Sequence, residues 1–130
     1  MNILAIDYGQ KRIGLAWVDI DLKVVVPFGV IETRLPSGKP REWMKELINL
    51  IQRENIGKLV IGLPLGLDGK ENANTEKIRQ VAATLQEQID IPIEFFDERF
   101  SSHQADRTEG GVSRDEKAAM VILESFLCKP

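Results

Sequence analysis

The sequence predicts an α/β fold: a mixed five-stranded sheet, three antiparallel strands followed by two parallel ones, with helices on both faces. Three observations carry this. Three extended apolar segments come first, separated by short polar turns, and connections that short join antiparallel neighbours. Helical and extended patterns then alternate over 42–54, 58–64, 72–88 and 93–96, which adds the later strands in parallel through crossovers. Finally, the last helix is apolar almost all round, so it packs in the body of the protein.

The chain has 130 residues, enough for one domain with a real core, here taken as 1–130. Hydrophobic residues make up 43% and charged residues 28%, ordinary values for a globular protein. No apolar run approaches the roughly 18 residues of a membrane span, and no basic segment with a long apolar core opens the chain. The single cysteine, Cys128, excludes an intramolecular disulfide and makes the cytoplasm the default location. One histidine, His103, does not suffice for a zinc site or a Ser-His-Asp triad. The net charge of −3 argues against bulk electrostatic attraction to nucleic acid. It is compatible with an acidic centre inside a local basic rim, the mixture a metal-dependent nuclease needs.

Ile3-Leu4-Ala5-Ile6 is a short branched apolar run and predicts a strand buried on both faces. It stops at Asp7. A polar turn holding Gly9, Lys11 and Arg12 follows, and the apolar run from Ile13 to Val18 folds back as the second strand. The third, 24–31, contains Pro27 and is therefore bent or at a sheet edge. Residues 35–40 form a loop. In 42–54, Trp43, Leu47, Leu50 and Ile51 make a helical apolar stripe, and Trp43 reads as core rather than as a platform for a base. Residues 55–57 end that helix. The fourth strand, 58–64, runs into a Gly-containing loop to Lys70. The next helix, from about 72 or 74 to 88, faces inward with Ile78, Val81, Ala82, Leu85 and Ile89. The fifth strand runs into Asp97-Glu98-Arg99. Ser101 and Gln104 form one capping box, opening a short helix that Gly110 and Gly111 interrupt. Ser113 and Glu116 form another, opening the last helix, 115–127.

A carboxylate at the end of a core strand is costly unless it is paired, hydrogen-bonded or bound to metal. Asp7 either caps its own hairpin turn or has a partner further along the chain. If the first and last strands are parallel, Glu98 emerges at the same end of the sheet, where ligands of such sheets sit. The start of the last helix offers Asp115 or Glu116, which helical periodicity does not separate. The capping box engages Glu116 and leaves Asp115 freer. Three acids from separate elements suit two Mg²⁺ ions, which bind oxygen donors about 3.5–4 Å apart in phosphodiester hydrolysis.

Four segments resemble the YqgF/RuvX family in order along nearly the whole chain. They are the run from Ile6-Asp7-Tyr8-Gly9 to Ile13-Gly14-Leu15-Ala16, Gly62-Leu63-Pro64-Leu65 with Asp68-Gly69, Asp97-Glu98-Arg99-Phe100-Ser101-Ser102, and Asp115 followed by Ala118-Ala119 and Ile122-Leu123. Trp17 departs from the family pattern. The resemblance implies a ribonuclease H-like nuclease dependent on Mg²⁺ (or Mn²⁺), with Asp7, Glu98 and Asp115 as catalytic metal ligands. Members are described as maturing the 5′ end of precursor 16S rRNA or as resolving Holliday junctions, so the expected partner is precursor rRNA or branched DNA. A symmetric junction would favour a homodimer. Lys11, Arg12, Arg99 and Arg114 flank the acids and are candidate phosphate contacts. The same Asp-x-Gly hairpin also resembles the phosphate loop of actin-like ATPases and sugar kinases. Those close two domains around a nucleotide, whereas this chain supplies one. A non-catalytic nucleic-acid-binding or ribosome-assembly module is the remaining alternative, against which the intact acid set argues.

Overall fold

The structure is a computed structural model and describes residues 1–9, 11–33, 42–63, 70, 72–97 and 113–128. The elements are β1 (Asn2–Tyr8), β2 (Arg12–Asp19), β3 (Val24–Glu32), α1 (Glu42–Arg53), β4 (Ile56–Leu63), α2 (Ala73–Gln86), β5 (Ile93–Asp97) and α3 (Arg114–Leu127). They form one five-stranded sheet in the order β3-β2-β1-β4-β5. β1–β2 and β2–β3 pair antiparallel, while β1–β4 and β4–β5 pair parallel. The predicted meander and crossovers are therefore both present. The predicted segments at 35–40, 64–69, 98–112, with Glu98, Arg99 and the first capping box, lie outside the described residues.

β1 occupies the centre of the sheet, and its alternation fills two cores. Leu4 and Ile6 join Trp43, Leu47 and Leu50 of α1 and Ile78, Ala82 and Leu85 of α2 on one face. Ile3 and Ala5 join Val18, Val60 and the α3 residues Ile122 and Leu123 on the other. A strand covered on both sides has no polar face, which is why its sequence reads as an unbroken apolar run. Trp43 is 5% exposed, in keeping with its reading as core.

β4 begins two residues earlier than the sequence predicts. Asn55 takes a left-handed conformation, φ 51°, and ends the helical stretch. Ile56 is then already strand, with its side chain buried. α2 starts with a capping box that the sequence reading overlooked. The Asn72 side chain accepts from Asn74 and Thr75 N–H, and Thr75 Oγ1 accepts from Asn72 N–H at 2.7 Å. β3 is both an edge strand and bulged. Leu15 pairs Gly29 while Ala16 pairs Pro27, so Phe28 is the extra residue. Its ring meets Trp17 edge-on, 6.1 Å between centroids, giving the atypical tryptophan an aromatic partner. No helix among the described residues is long and apolar enough to cross a membrane.

Candidate active site

Asp7 is the penultimate residue of β1. Successive strand side chains point to opposite faces, so Asp7 shares the α3 side of the sheet with Ile3 and Ala5. Its register partner on β2 is Gly14, and paired antiparallel residues have Cα atoms about 4.5–5.5 Å apart. Gly14 is where α3 touches the sheet. A methyl group built there would overlap the backbone carbonyl of Asp115. The first turn of α3 thus fills the space of the missing side chain and lies one strand away from Asp7. The sequence reading passed over Gly14, although a glycine inside a strand is the usual sign of close backbone approach.

The Asp7 carboxylate is partly buried, and among the described residues it has no hydrogen bond and no ion pair. Among the described residues it makes no capping bond to the hairpin. The turn is closed instead by the Gly9 N–H donating to the Arg12 carbonyl at 3.0 Å. Arg12 lies on the same strand face as Gly14, and its Nε is 3.4 Å from Asp115 Oδ2. The two side chains are 55% and 33% exposed, so the pair is worth at most about 1 kcal/mol. Lys11 is exposed in the turn, and its carbonyl accepts from Thr33 N–H at 2.9 Å. Arg114, the first residue of α3, is also exposed.

Asp115 and Glu116, which helical periodicity alone does not separate, have different surroundings, and the predicted Ser113–Glu116 capping box is present. Glu116 Oε1 accepts from the Ser113 hydroxyl at 2.9 Å and the Ser113 N–H at 3.3 Å. Its Oε2 accepts from the Gly29 N–H of β3 at 2.8 Å. Asp115 has the Arg12 contact alone among described residues. The structure therefore brings together Asp7, Arg12 and Asp115. β1, β4 and β5 are mutually parallel, so Asp7 and Asp97 lie at the same, carboxyl-terminal end of their strands. Glu98 follows Asp97 in the chain and, like Arg99, is outside the described residues. Among the described residues no group of three acid, His or Cys side chains forms a metal cage.

Tyr8 points the other way, onto the α1–α2 face. Its ring sits 5.8 Å from that of Trp43 at 54°, on the wall of a cleft of about 520 Å³ that Met44, Val81, Thr84 and Gln88 also line. Burial raises its phenol above the usual 10.0. A raised folded value means that the native state holds the proton more tightly than the unfolded chain. This contribution is complete below pH about 10 and is lost as pH rises through the folded value. Melting curves at increasing alkaline pH are expected to fall less steeply for Tyr8→Phe than for the wild type above pH about 10. Parallel curves would remove Tyr8 as the cause.

A family model described as RuvX, Holliday junction resolvase, matches residues 1–129. A protein of Maridesulfovibrio salexigens named "Putative pre-16S rRNA nuclease" is 38% identical, over 99% of this chain and 99% of its own length. One of the same name from Dictyoglomus turgidum is 35% identical, over 98% and 94%. Among solved structures, Thermus thermophilus RuvC in complex with a Holliday junction substrate superposes with a TM-score of 0.66. That likeness covers 94% of this chain and 89% of RuvC at 13% identity, and identifies the fold as ribonuclease H-like. A model match over all but the last residue, with relatives at such identity along nearly their whole length, leads to one conclusion: the chain belongs to the RuvX family.

Proposed function

We propose that this protein is a divalent-metal-dependent nuclease that matures the 5′ end of precursor 16S rRNA in the cytoplasm. The observation that carries the proposal is Asp7: a partly buried carboxylate at the end of the central strand with no described protein partner. Such a group is retained against its desolvation cost when something outside the chain completes it. The names of the relatives point to nucleic acid as the substrate and to precursor rRNA in particular.

Asp7, Asp115 and Glu98 would hold the metal. Their donor set is entirely oxygen, as Mg²⁺ prefers, and two of the three come together across one strand pair. When bound, the ion supplies Lewis-acid stabilisation of charge developing on the phosphoryl oxygens. The chain's own part is to orient and neutralise. Asp7 presents its oxygens from the end of the central strand of the sheet. Arg12 has five N–H donors, so its Nε contact to Asp115 leaves others to meet a substrate phosphate. Lys11 and Arg114, both exposed, would extend that basic rim, and Arg99, next to Glu98 in sequence, is a further candidate phosphate contact. A rim of this kind keeps substrate affinity local in a chain with a net charge of −3.

The test is side-by-side cleavage of a 5′-extended 16S rRNA precursor and a four-way DNA junction, each with Mg²⁺ and with excess chelator. Metal-dependent trimming of the RNA is expected. Cleavage of the junction alone would transfer the activity to branched DNA, and binding without cleavage of either would favour a non-catalytic module.

A further inference from the structure

We infer that Glu116 is a positioning residue: it fixes the first turn of α3, and with it the Asp115 carboxylate, through the Gly29 N–H of the β3 bulge. The inference rests on the reading of Asp115 as a metal ligand.

A capping box needs only a reciprocal pair between the N-cap residue and the third helical residue. Ser113 and Glu116 make that pair with one carboxylate oxygen. The second oxygen reaches an edge strand 87 residues away in sequence, at 2.8 Å. This bond is not required to start a helix. It joins the helix start to the sheet, and an ionised acceptor makes it one of the stronger kinds of hydrogen bond. With three donors on roughly four acceptor sites, Glu116 has little capacity left for a metal. Two acids adjacent in sequence thus take different roles.

The strand is shaped to supply this donor. Gly29 has φ +105°, a conformation that side-chain-bearing residues rarely adopt. Nothing lies within 4 Å of where its Cβ would be, so the glycine answers to backbone conformation and not to crowding. It belongs to the bulge at Phe28, and bulges re-aim groups away from the regular ladder. Pro27 before it contributes no N–H.

Gly29 also sits beside the other anchor of the helix. Gly14 pairs with Val30, and Leu15 pairs with Gly29, so the two glycines are diagonal neighbours on adjacent strands. The Asp115 backbone rests on Gly14 and the Glu116 side chain holds Gly29. One anchor is steric and the other electrostatic. A helix end seated on Gly14 alone can rock about that point; the second attachment on β3 removes this freedom. Asp115 carries the first anchor and adjoins the residue that makes the second, and its side chain inherits the orientation.

The experiment compares wild type with Glu116→Ala, Glu116→Gln, Ser113→Ala and Asp115→Asn at a temperature where melting curves show each folded. Mn²⁺ affinity is measured by calorimetry, and the Mg²⁺ concentration for half-maximal cleavage by titration. Removing a group that orients a metal ligand typically costs 10–100-fold in affinity or activity, and Glu116→Ala is expected to weaken both by about that factor. Its Gly29 amide should also exchange with solvent faster than in wild type. Ser113→Ala removes the cap but leaves the Gly29 bond, so it should lower the melting temperature while metal affinity stays within about twofold. Glu116→Gln keeps one carbonyl oxygen for Gly29 and should recover most of the lost affinity. Equal weakening in Ser113→Ala and Glu116→Ala would reduce Glu116 to a cap, and wild-type affinity in Glu116→Ala would overturn the inference outright. If Asp115→Asn leaves metal binding and cleavage intact, the ligand reading beneath it fails instead.

Discussion

Asp7→Asn is expected to reduce metal-dependent cleavage by about 10³-fold or more while leaving the protein as stable as the wild type or slightly more so. The two halves of this result come from one fact. The carboxylate has no hydrogen bond or ion pair among the described residues, so replacing it with an amide of the same shape breaks no described interaction. Removing an unpaired, partly desolvated charge relieves about 0–1 kcal/mol. Catalysis suffers because a neutral amide is a poor ligand for a hard dication, and metal stabilisation of phosphoryl charge is worth several kcal/mol. About 1.4 kcal/mol corresponds to each decade of rate. Single-turnover cleavage together with thermal melting checks both halves. Unchanged cleavage would remove Asp7 from the chemistry. A large fall in melting temperature would mean that its role is structural.

Gly14→Ala should damage both fold and activity. The added methyl would meet backbone atoms of Asp115, and backbone cannot move aside by changing rotamer as a side chain can. Either α3 lifts or the sheet bends, at about 1–3 kcal/mol. For a chain of this size, that lowers the melting temperature by roughly 4 °C or more. The helix end that must move carries Asp115, while the opposite end of α3 packs through Phe126 against Lys58 of β4, 5.1 Å from ring centroid to Nζ. The disturbance is thus confined to the helix start. Cleavage should fall further than the folded fraction explains when assayed well below the melting transition. A variant that melts earlier but cleaves at the wild-type rate would show that the approach of α3 to Gly14 serves packing alone.

Much of the fold was legible because it is written in local patterns. The period-four stripe of Trp43, Leu47, Leu50 and Ile51 marks one helix face, and all four residues are buried. The unbroken apolar run at the start marks a strand covered on both sides. Pro27 and its neighbours marked an edge or a bend, and β3 is both. Boundaries were less legible where one residue's backbone decided them, as at Asn55. The Asn72–Thr75 box escaped because threonine at the third helical position is a less familiar cap partner than Glu or Gln.

The site divides in the same way. The amino-acid sequence by itself determined the type and order of the elements, and the acids whose burial demands an explanation. Hydrophobic periodicity and the cost of an unpaired charge are properties of a residue and its near neighbours. Only the tertiary structure decided that Glu116, already engaged by its capping box, is also held by the Gly29 N–H, and that Gly14 is the seat of α3 opposite Asp7. Those outcomes depend on strand register and on the docking of a helix from the far end of the chain. The contacts join residues about 87–101 positions apart in sequence, across which no local pattern carries information.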